Sequence, residues 1–444
     1  MDFSPFISTF EQFKDQLNGT TNIQTGISNS TQKFVKIQKN LVLFYKSDDS
    51  GCGHVRSILP AMYLNSVFGK SGQLRPVVLP FFVFQPEILV YTRSIFFQRT
   101  MNPAQLPLVQ KYKELQSQFQ YKMIYDIDDF IFKGDDPGED IPDYNFGKKT
   151  ISDEVRKTAI EIMNLMDVVC VSTEFLGDYI KNKCGVKTPI KVVPNSVPMY
   201  FYGPRQRAPI TEKIKVPKVI WTGSPTHYMD SNYVEKNGQK ITVFPVYSED
   251  RKTISYYRDE KGIEKYNPSD VKKNQQKGDL DNAWCEWIIK SVKDKKIRFL
   301  MMGTNHIPFF FKELEGNENF KIIGWLNTFQ YNMPILDYQP DIGIAPLVSN
   351  FFNRSKSDIK SIEYMAAGCL SIGTVFSDGT PSPYDNNFVK APDNITVEEI
   401  DELIDKYTEP DIYNDIIRKQ YQYLHENGRY LESAKFVNYL GSIL

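Results

Sequence analysis

Cysteine is scarce in this chain of 444 residues: there are five, an odd number, and no Cys-x-x-Cys pair. That argues against a disulfide framework and a cysteine zinc site, and it points to a reducing compartment. An excess of either charge is also missing. The 53 Lys and Arg nearly balance 54 Asp and Glu, leaving a formal net charge of −1. A globally basic surface for nucleic acid is thereby excluded, although a local basic groove is not. Long apolar runs are absent. The most apolar stretch, 77–91, is short and is broken by Pro80, Pro86 and Glu87, so it does not read as a membrane span. The N-terminus has no basic region followed by an apolar one, so no signal peptide is expected. A soluble, cytoplasmic protein is the expectation. No internal repeat or low-complexity tract interrupts the chain.

What is present suits two or three globular domains. The chain is 41% hydrophobic, with 30 Phe and 26 Tyr to fill sizeable cores. Cys170 and Cys369 fall inside apolar strand-like runs and are expected in those cores. Residues 1–40 are polar, with one amphipathic piece at 6–17, and are expected to form an accessory arm. A buried strand follows at 41–45, then a loop containing Gly51, Cys52, Gly53, His54 and Arg56. Helical spacing appears after it in Ile58, Met62, Leu64 and Phe68. Strand, glycine loop and helix together bring backbone amides close to a phosphate or sugar, though two glycines also serve an ordinary tight turn.

Apolar and helical segments then alternate at 77–84, 88–91, 103–119, 123–125, 152–166, 168–171, 174–183 and 190–193. The pattern predicts a parallel sheet covered by helices on both faces. Ligands of such sheets sit at the carboxyl ends of the strands. Asp126, Asp128 and Asp129 fall at one such end. Clustered carboxylates there can act as a base, hold a metal or bind a sugar hydroxyl, or merely cap a solvated loop. Ser172 to Glu174 reads as a helix cap. The proline-rich stretch 201–217 reads as a linker.

The second half restarts with a strand running into Thr222, Gly223, Ser224 and His227. Residues 231–277 break the alternation. Two strand-like runs at 241–247 and 253–257 flank a hairpin signal at 248–251. The flanks supply Tyr256, Tyr257, Arg258, Lys272 and Lys273, a set suited to a polyanion with stackable bases or to a decorative hairpin. Strands are expected again at 296–301, 320–323 and 341–346, with helices at 306–314 and 329–336. Trp325 follows a strand end, suited to stacking or to packing.

The stretch 353–374, NRSKSDIKSIEYMAAGCLSIGT, places Lys356, Lys360 and Glu363 at helical spacing on one face, with Ile359, Ile362, Met365 and Ala366 turned inward. Two cations and a carboxylate suit a ligand with phosphates and hydroxyls; the same spacing also suits a plain solvated face. Residues 397–444 read as helical.

Five runs resemble GT-B glycosyltransferases, above all the retaining family-4-like group; one of them, Lys218 to His227, is similar to the loop that reaches the donor phosphates. The stretch 353–374 is similar to their sugar-nucleotide signature, with Glu363 at the ribose-binding glutamate and Ala366-Ala367-Gly368 at the small-residue turn. A second glutamate, usual eight residues earlier, is Ser355 here. SGCGHVR (50–56) and IYDIDDFIF (124–132) resemble phage-encoded members, and Val193 to Val197 resembles the exit into the interdomain linker. The resemblance implies two doubly wound, Rossmann-like α/β domains facing a cleft. It places an acceptor-side domain at 41–200 and a donor-binding domain at 218–395 with the insertion 231–277. Residues 396–444 would return to the first domain.

It further implies transfer of a sugar from a nucleotide-diphosphate donor, a UDP-sugar foremost, to an acceptor hydroxyl. Lys356 and Lys360 would neutralise the leaving diphosphate and Glu363 would bind ribose. Gly51, Cys52, Gly53 and His54 would close over the donor together with Thr222, Gly223, Ser224 and His227, and Trp325 would lie at the base. Asp128 or Asp129, with His54, would handle the acceptor, and no metal is required. The phage-like runs and the basic, aromatic insertion suggest double-stranded DNA carrying hydroxymethylated bases as acceptor, in a host cytoplasm. Envelope glycans or small molecules are the alternative acceptors. A GT-B sugar-nucleotide epimerase and a non-catalytic nucleotide-binding scaffold are the other classes.

Overall fold

Alternation along the first strand decides the architecture. In β1 (Leu41–Tyr45), Leu41, Leu43 and Tyr45 enter one apolar cluster while Val42 and Phe44 enter another. A strand buried on both faces needs a layer of helices on each side. The computed structural model describes residues 39–444 except 49–50, 80–85, 135, 137, 146–147, 149–150, 203–206, 248–253, 260–261, 263, 282 and 328–329. The expected arm, save its last two residues, and the hairpin turn at 248–251 lie outside the described residues.

β1 is joined by β2 (Arg75–Leu79), β3 (Thr92–Gln98), β4 (Lys122–Ile127), β5 (Val168–Val171) and β6 (Ile190–Val192). Together they form a parallel sheet in the order β2-β1-β3-β4-β5-β6. Residues 88–91, expected among the strands, belong instead to a 3₁₀ turn at Pro86–Tyr91. The strand is the next segment, β3, whose Thr92, Ser94 and Gln98 are buried polar residues that interrupt its apolar pattern.

The second half opens with β7 (Lys218–Thr222) and then leaves for the insertion. This contains β8 (Met229–Lys236), β9 (Gln239–Tyr247), β10 (Ile254–Asp259), β11 (Lys265–Tyr266) and β12 (Lys272–Gln276). They form an antiparallel sheet in the order β11-β10-β9-β8-β12 around a small core of Val234, Val243 and Tyr257. The chain then rejoins β7 through β13 (Arg298–Met302), β14 (Phe320–Ile323), β15 (Ile342–Ala345), β16 (Leu370–Val375) and β17 (Val389–Pro392). This parallel sheet runs β14-β13-β7-β15-β16-β17. Here the strand order reverses between β7 and β15, and in the first sheet between β1 and β3. Those reversals open crevices at the carboxyl ends of the strands, the places where doubly wound sheets take ligands.

The last helices tie both halves together. Gln420, on helix Pro410–Glu426, receives the Ser371 amide at 2.9 Å and donates to the Cys369 carbonyl at 2.8 Å. Helix Ala434–Ile443 sends Phe436 and Leu440 into the cluster of Val42 and Phe44. In the opposite direction, Phe351 of the second domain packs edge-on against Phe130 at 5.2 Å and Tyr179 at 5.2 Å. The two sheets are thus clamped around a shared cleft. Among the described residues no helix is long and apolar enough to cross a membrane.

Candidate active site

The cleft encloses ≈ 260 Å³ between the strand ends of the two sheets. Its first wall comes from the loop after β1 and the residues after β4: Gly51, Cys52, His54, Asp128 and Asp129. The second comes from the loop after β7, the residues after β14 and the stretch around the 359–366 helix: Thr222, Gly223, Ser224, His227, Trp325, Lys356, Lys360 and Glu363. Of the expected site residues, Gly53 alone stands behind the wall. Its amide donates to Asp48 Oδ1 at 3.2 Å, and a Cβ there would lie 2.0 Å from the Asp48 carbonyl oxygen, so only glycine fits.

The single helix expected through 353–366 is two pieces. A short helix, Phe351–Arg354, ends where the Ser355 hydroxyl donates to the Phe352 carbonyl at 2.7 Å. A second helix, Ile359–Ala366, carries Lys360 and Glu363, while Lys356 sits in the link before it. The ion pair of Asp358 with Arg429, from the C-terminal region, accompanies the second start. Ser355 is fully buried, so position 355 presents no group to the cleft.

Lys360 Nζ is buried with no hydrogen-bond partner and lies 5.2 Å from the centre of the Trp221 ring. Burial, then the neighbouring Lys356 charge, push its pKa down to about 7, against Asp279 and Glu363. Glu363 accepts from the Tyr331 hydroxyl at 3.2 Å. Burial lifts its pKa to about 7, opposed by hydrogen bonds from Tyr331 and Tyr202 and by the Lys360 charge. Trp325 is 51% exposed at the rim, an open apolar plate, with its amide held by Asn305 Oδ1 at 2.9 Å.

The β7 loop departs from expectation. The Thr222 amide and hydroxyl are both engaged by the Tyr364 hydroxyl, at 2.8 and 2.9 Å. The Gly223 amide donates to the Met302 carbonyl at 2.9 Å. Ser224 Oγ receives the Thr226 amide at 3.4 Å and lies 2.6 Å from the Thr226 hydroxyl. These groups shape the wall, but most of their hydrogen-bonding capacity is already in use. His227 points Nδ1 at Asp279 Oδ2, 2.6 Å away. Burial and the Lys356 and Lys360 charges hold its pKa down at about 3, so the ring is neutral and Nε2 is left as an acceptor.

On the first wall, Asp129 accepts from Arg99 Nη1 at 2.7 Å and from the Cys52 thiol at 3.0 Å, and Arg99 Nη2 also reaches Asp48 at 2.7 Å. Cys52, Asp128 and Asp129 bring possible metal-ligand atoms within 4.8 Å of one another. The Arg99 guanidinium already supplies the balancing cation, and burial followed by the Asp128 and Asp129 charges keeps the Cys52 thiol protonated. Asp128 Oδ1 is buried with no partner. Burial, then Asp129, raise its pKa to about 7 despite Arg56 and Arg99. His54 is buried, stacked on Phe201 at 6.0 Å, and its pKa is pushed down to about 3 by burial.

Three of the runs singled out in the sequence meet in the site's framework. Arg56 grips Asp126 with two bonds, at 2.8 and 2.7 Å, and reaches Asn195 Oδ1 at 2.9 Å. Asn195 then donates to Ser357 Oγ at 2.8 Å, across to the second domain. In the insertion, Tyr257 is buried in the small core and offers no stacking face. Lys272 is paired with Glu235 and Lys236 with Glu264, each at 2.7 Å. Lys240 lies over Tyr233 and Lys265 over Tyr256, each 4.7 Å from the ring centre.

No family model matches the chain, and no curated protein sequence matches it. Solved structures do. A sucrose-phosphate synthase from Thermosynechococcus elongatus superposes with a TM-score of 0.49 at 10% identity, over 91% of this chain and 98% of that one. HepE of Anabaena in complex with UDP-glucose gives 0.46 at 9%, over 91% and 98%. An α,α-trehalose 6-phosphate synthase from Burkholderia multivorans gives 0.44 at 7%, over 91% and 96%.

Proposed function

We propose that the chain is a glycosyltransferase taking its sugar from a nucleotide diphosphate, with UDP as the favoured carrier. The observation that carries this reading is the division of labour across the cleft. One wall holds two lysines, one of them without a hydrogen-bond partner, beside a carboxylate. The other holds a buried carboxyl with an unpartnered oxygen. A diphosphate beside Lys356 and Lys360 supplies the anion that Lys360 lacks, and Glu363 takes ribose hydroxyls. Trp325 offers a plate to the base. Asp128 faces the reacting end, where it accepts the proton of an incoming hydroxyl. The acceptor oxygen then bonds to the anomeric carbon, the bond from that carbon to phosphate breaks, and the nucleoside diphosphate leaves with its charge matched by the lysines.

For the acceptor we infer a hydroxymethylated base in duplex DNA. Its support is the phage-like character of 50–56 and 124–132 together with the insertion beside the cleft, where Arg258, Lys265, Lys273 and Tyr256 remain on described strands. The pairing of Lys236 and Lys272 with glutamates lowers the insertion's positive charge and favours the rival acceptors, glycans or small molecules. Ser355, with no carboxylate to offer, favours a scaffold that binds nucleotide without turning it over.

One experiment separates these readings. The protein is mixed with hydroxymethylated and unmodified duplex DNA and labelled nucleotide sugars, and the DNA is digested to nucleosides for mass analysis. Glycosylated nucleosides from the modified DNA alone support the DNA acceptor. Transfer to glycans, or hydrolysis of the donor without DNA product, removes DNA as acceptor but keeps the enzyme. Binding without turnover leaves the scaffold.

A further inference from the structure

His227 and Asp279 lie 52 positions apart in sequence, with the whole antiparallel sheet of the insertion between them, yet their side chains meet at 2.6 Å. The base of the insertion makes this contact. β8 leaves just after His227 and β12 returns just before Asp279, and the two pair antiparallel from Met229↔Gln276 to Tyr233↔Lys272. Gly278 completes the approach. Its φ is +58°, and a Cβ there would lie 2.2 Å from the His227 carbonyl oxygen.

Asp279 is fully buried and gathers donors from three directions. Oδ2 receives His227 Nδ1 and Lys356 Nζ, the latter at 3.1 Å. Oδ1 receives Asn353 Nδ2 at 2.6 Å and the Tyr144 hydroxyl at 2.7 Å. Tyr144 belongs to the first domain, and its hydroxyl also accepts from Asn350 at 3.2 Å and Asn353 at 3.3 Å. Burial opposes ionisation of Asp279, but Lys356 and His227 outweigh it and hold the carboxyl far below the usual carboxylate range. The group is therefore a charged strut. It is absent from the cleft lining, while both residues it grips, His227 and Lys356, are part of that lining.

We propose that Asp279 is a positioning residue: it fixes Lys356 for the donor's diphosphate, locks the neutral His227 ring beside it, and through Tyr144 ties their placement to the first domain. The proposal rests on the nucleotide-diphosphate reading above. A carboxylate beside Lys356 also competes with an incoming phosphate, and the two roles predict opposite signs. If positioning dominates, Asp279→Asn weakens UDP binding; if competition dominates, it strengthens it.

The test is calorimetric titration of UDP into the intact chain and its variants. The expected loss for Asp279→Asn is about tenfold, the size of one or two hydrogen bonds to a charged group. Lys356→Ala loses a similar factor, and the double variant is no weaker than the weaker single, because Asp279 acts through Lys356 and its neighbour. Tyr144→Phe, which leaves Asp279 and its local ligands in place, loses about threefold, and that loss disappears in the Asp279→Asn background. Tighter binding by Asp279→Asn, fully additive losses, or wild-type affinity in both Asp279→Asn and Tyr144→Phe would each overturn the inference while the donor site stands. A wild-type protein that binds none of UDP, ADP, GDP or dTDP overturns the donor reading and the inference with it.

Discussion

Lys360 and Trp221 form a cation–π pair, 5.2 Å from ammonium to ring centre, and the ammonium has no hydrogen-bond partner beside it among the described residues. A ring offers a desolvated cation about 2 kcal/mol, whereas removing an ammonium from water costs several. The shortfall is why the pKa falls to about 7. Lys356 and Lys360 repel each other, and Asp279 and Glu363 attract Lys360 without touching it. A bound diphosphate supplies the missing counter-charge and draws a proton onto the amine. Below about pH 7 UDP affinity is expected to fall as Glu363 gains its proton, and above about pH 7 it is expected to weaken by up to about tenfold per unit as Lys360 loses its own. Lys360→Gln removes that slope. Calorimetry in buffers of different ionisation enthalpy checks it through proton uptake on binding at pH 8.

Glu363→Gln should weaken UDP binding about 10- to 100-fold without unfolding the chain. The sign of the stability change separates the two effects. The native pKa of Glu363 is raised above its ordinary value, so the native state binds the extra proton and its stability falls as pH rises through the interval from about 4.5 to about 7. At pH 8 the amide relieves this penalty. Thermal melting at pH 8 no lower than wild type, together with lost affinity, is the expected pair of results.

Much of this site can be read in the sequence, and the misses have physical causes. Strand β1 declares itself because both of its faces are apolar, whereas β3 hides because buried Thr92, Ser94 and Gln98 take polar positions. Lys360 and Glu363 share a helix as their spacing implies; Lys356 does not, since the chain stops and restarts between Ser355 and Asp358. Thr222 looks like a phosphate ligand until Tyr364, 142 residues away, takes its amide. Asp279 and its partner His227 are separated in sequence by an entire sheet. Contacts over such distances leave no local pattern to read.

Asp128→Asn tests the acceptor side. A base with its pKa raised to about 7 works only when ionised, so the wild-type rate of sugar transfer or donor hydrolysis should rise with pH through about 7. The variant should lose that limb and about 100-fold in rate, with UDP affinity unchanged. Asp129→Asn, by contrast, removes a partner of Arg99 and Cys52, and its expected effect is on the shape of the wall.

Replacing 234–271 by an Asn-Gly turn removes the outer insertion but keeps the β8–β12 pairing from Met229↔Gln276 to Tyr233↔Lys272. UDP affinity should stay within about twofold, because His227 and Asp279 remain at the base. Binding of hydroxymethylated duplex should fall and lose part of its salt dependence, by about one unit of log–log slope for each phosphate contact removed. A filter-binding series from low to moderate salt reads both quantities.

The central claim is that Lys356, Lys360 and Glu363 form one site for a nucleoside diphosphate. Comparison of UDP with uridine, titrated into the wild-type chain at pH 6.5, tests it most directly. The two lysines should make UDP bind about 100-fold more tightly than uridine, and Lys360→Gln should remove most of that difference. Equal affinities for UDP and uridine, or a difference that survives Lys360→Gln and Lys356→Ala together, would contradict it.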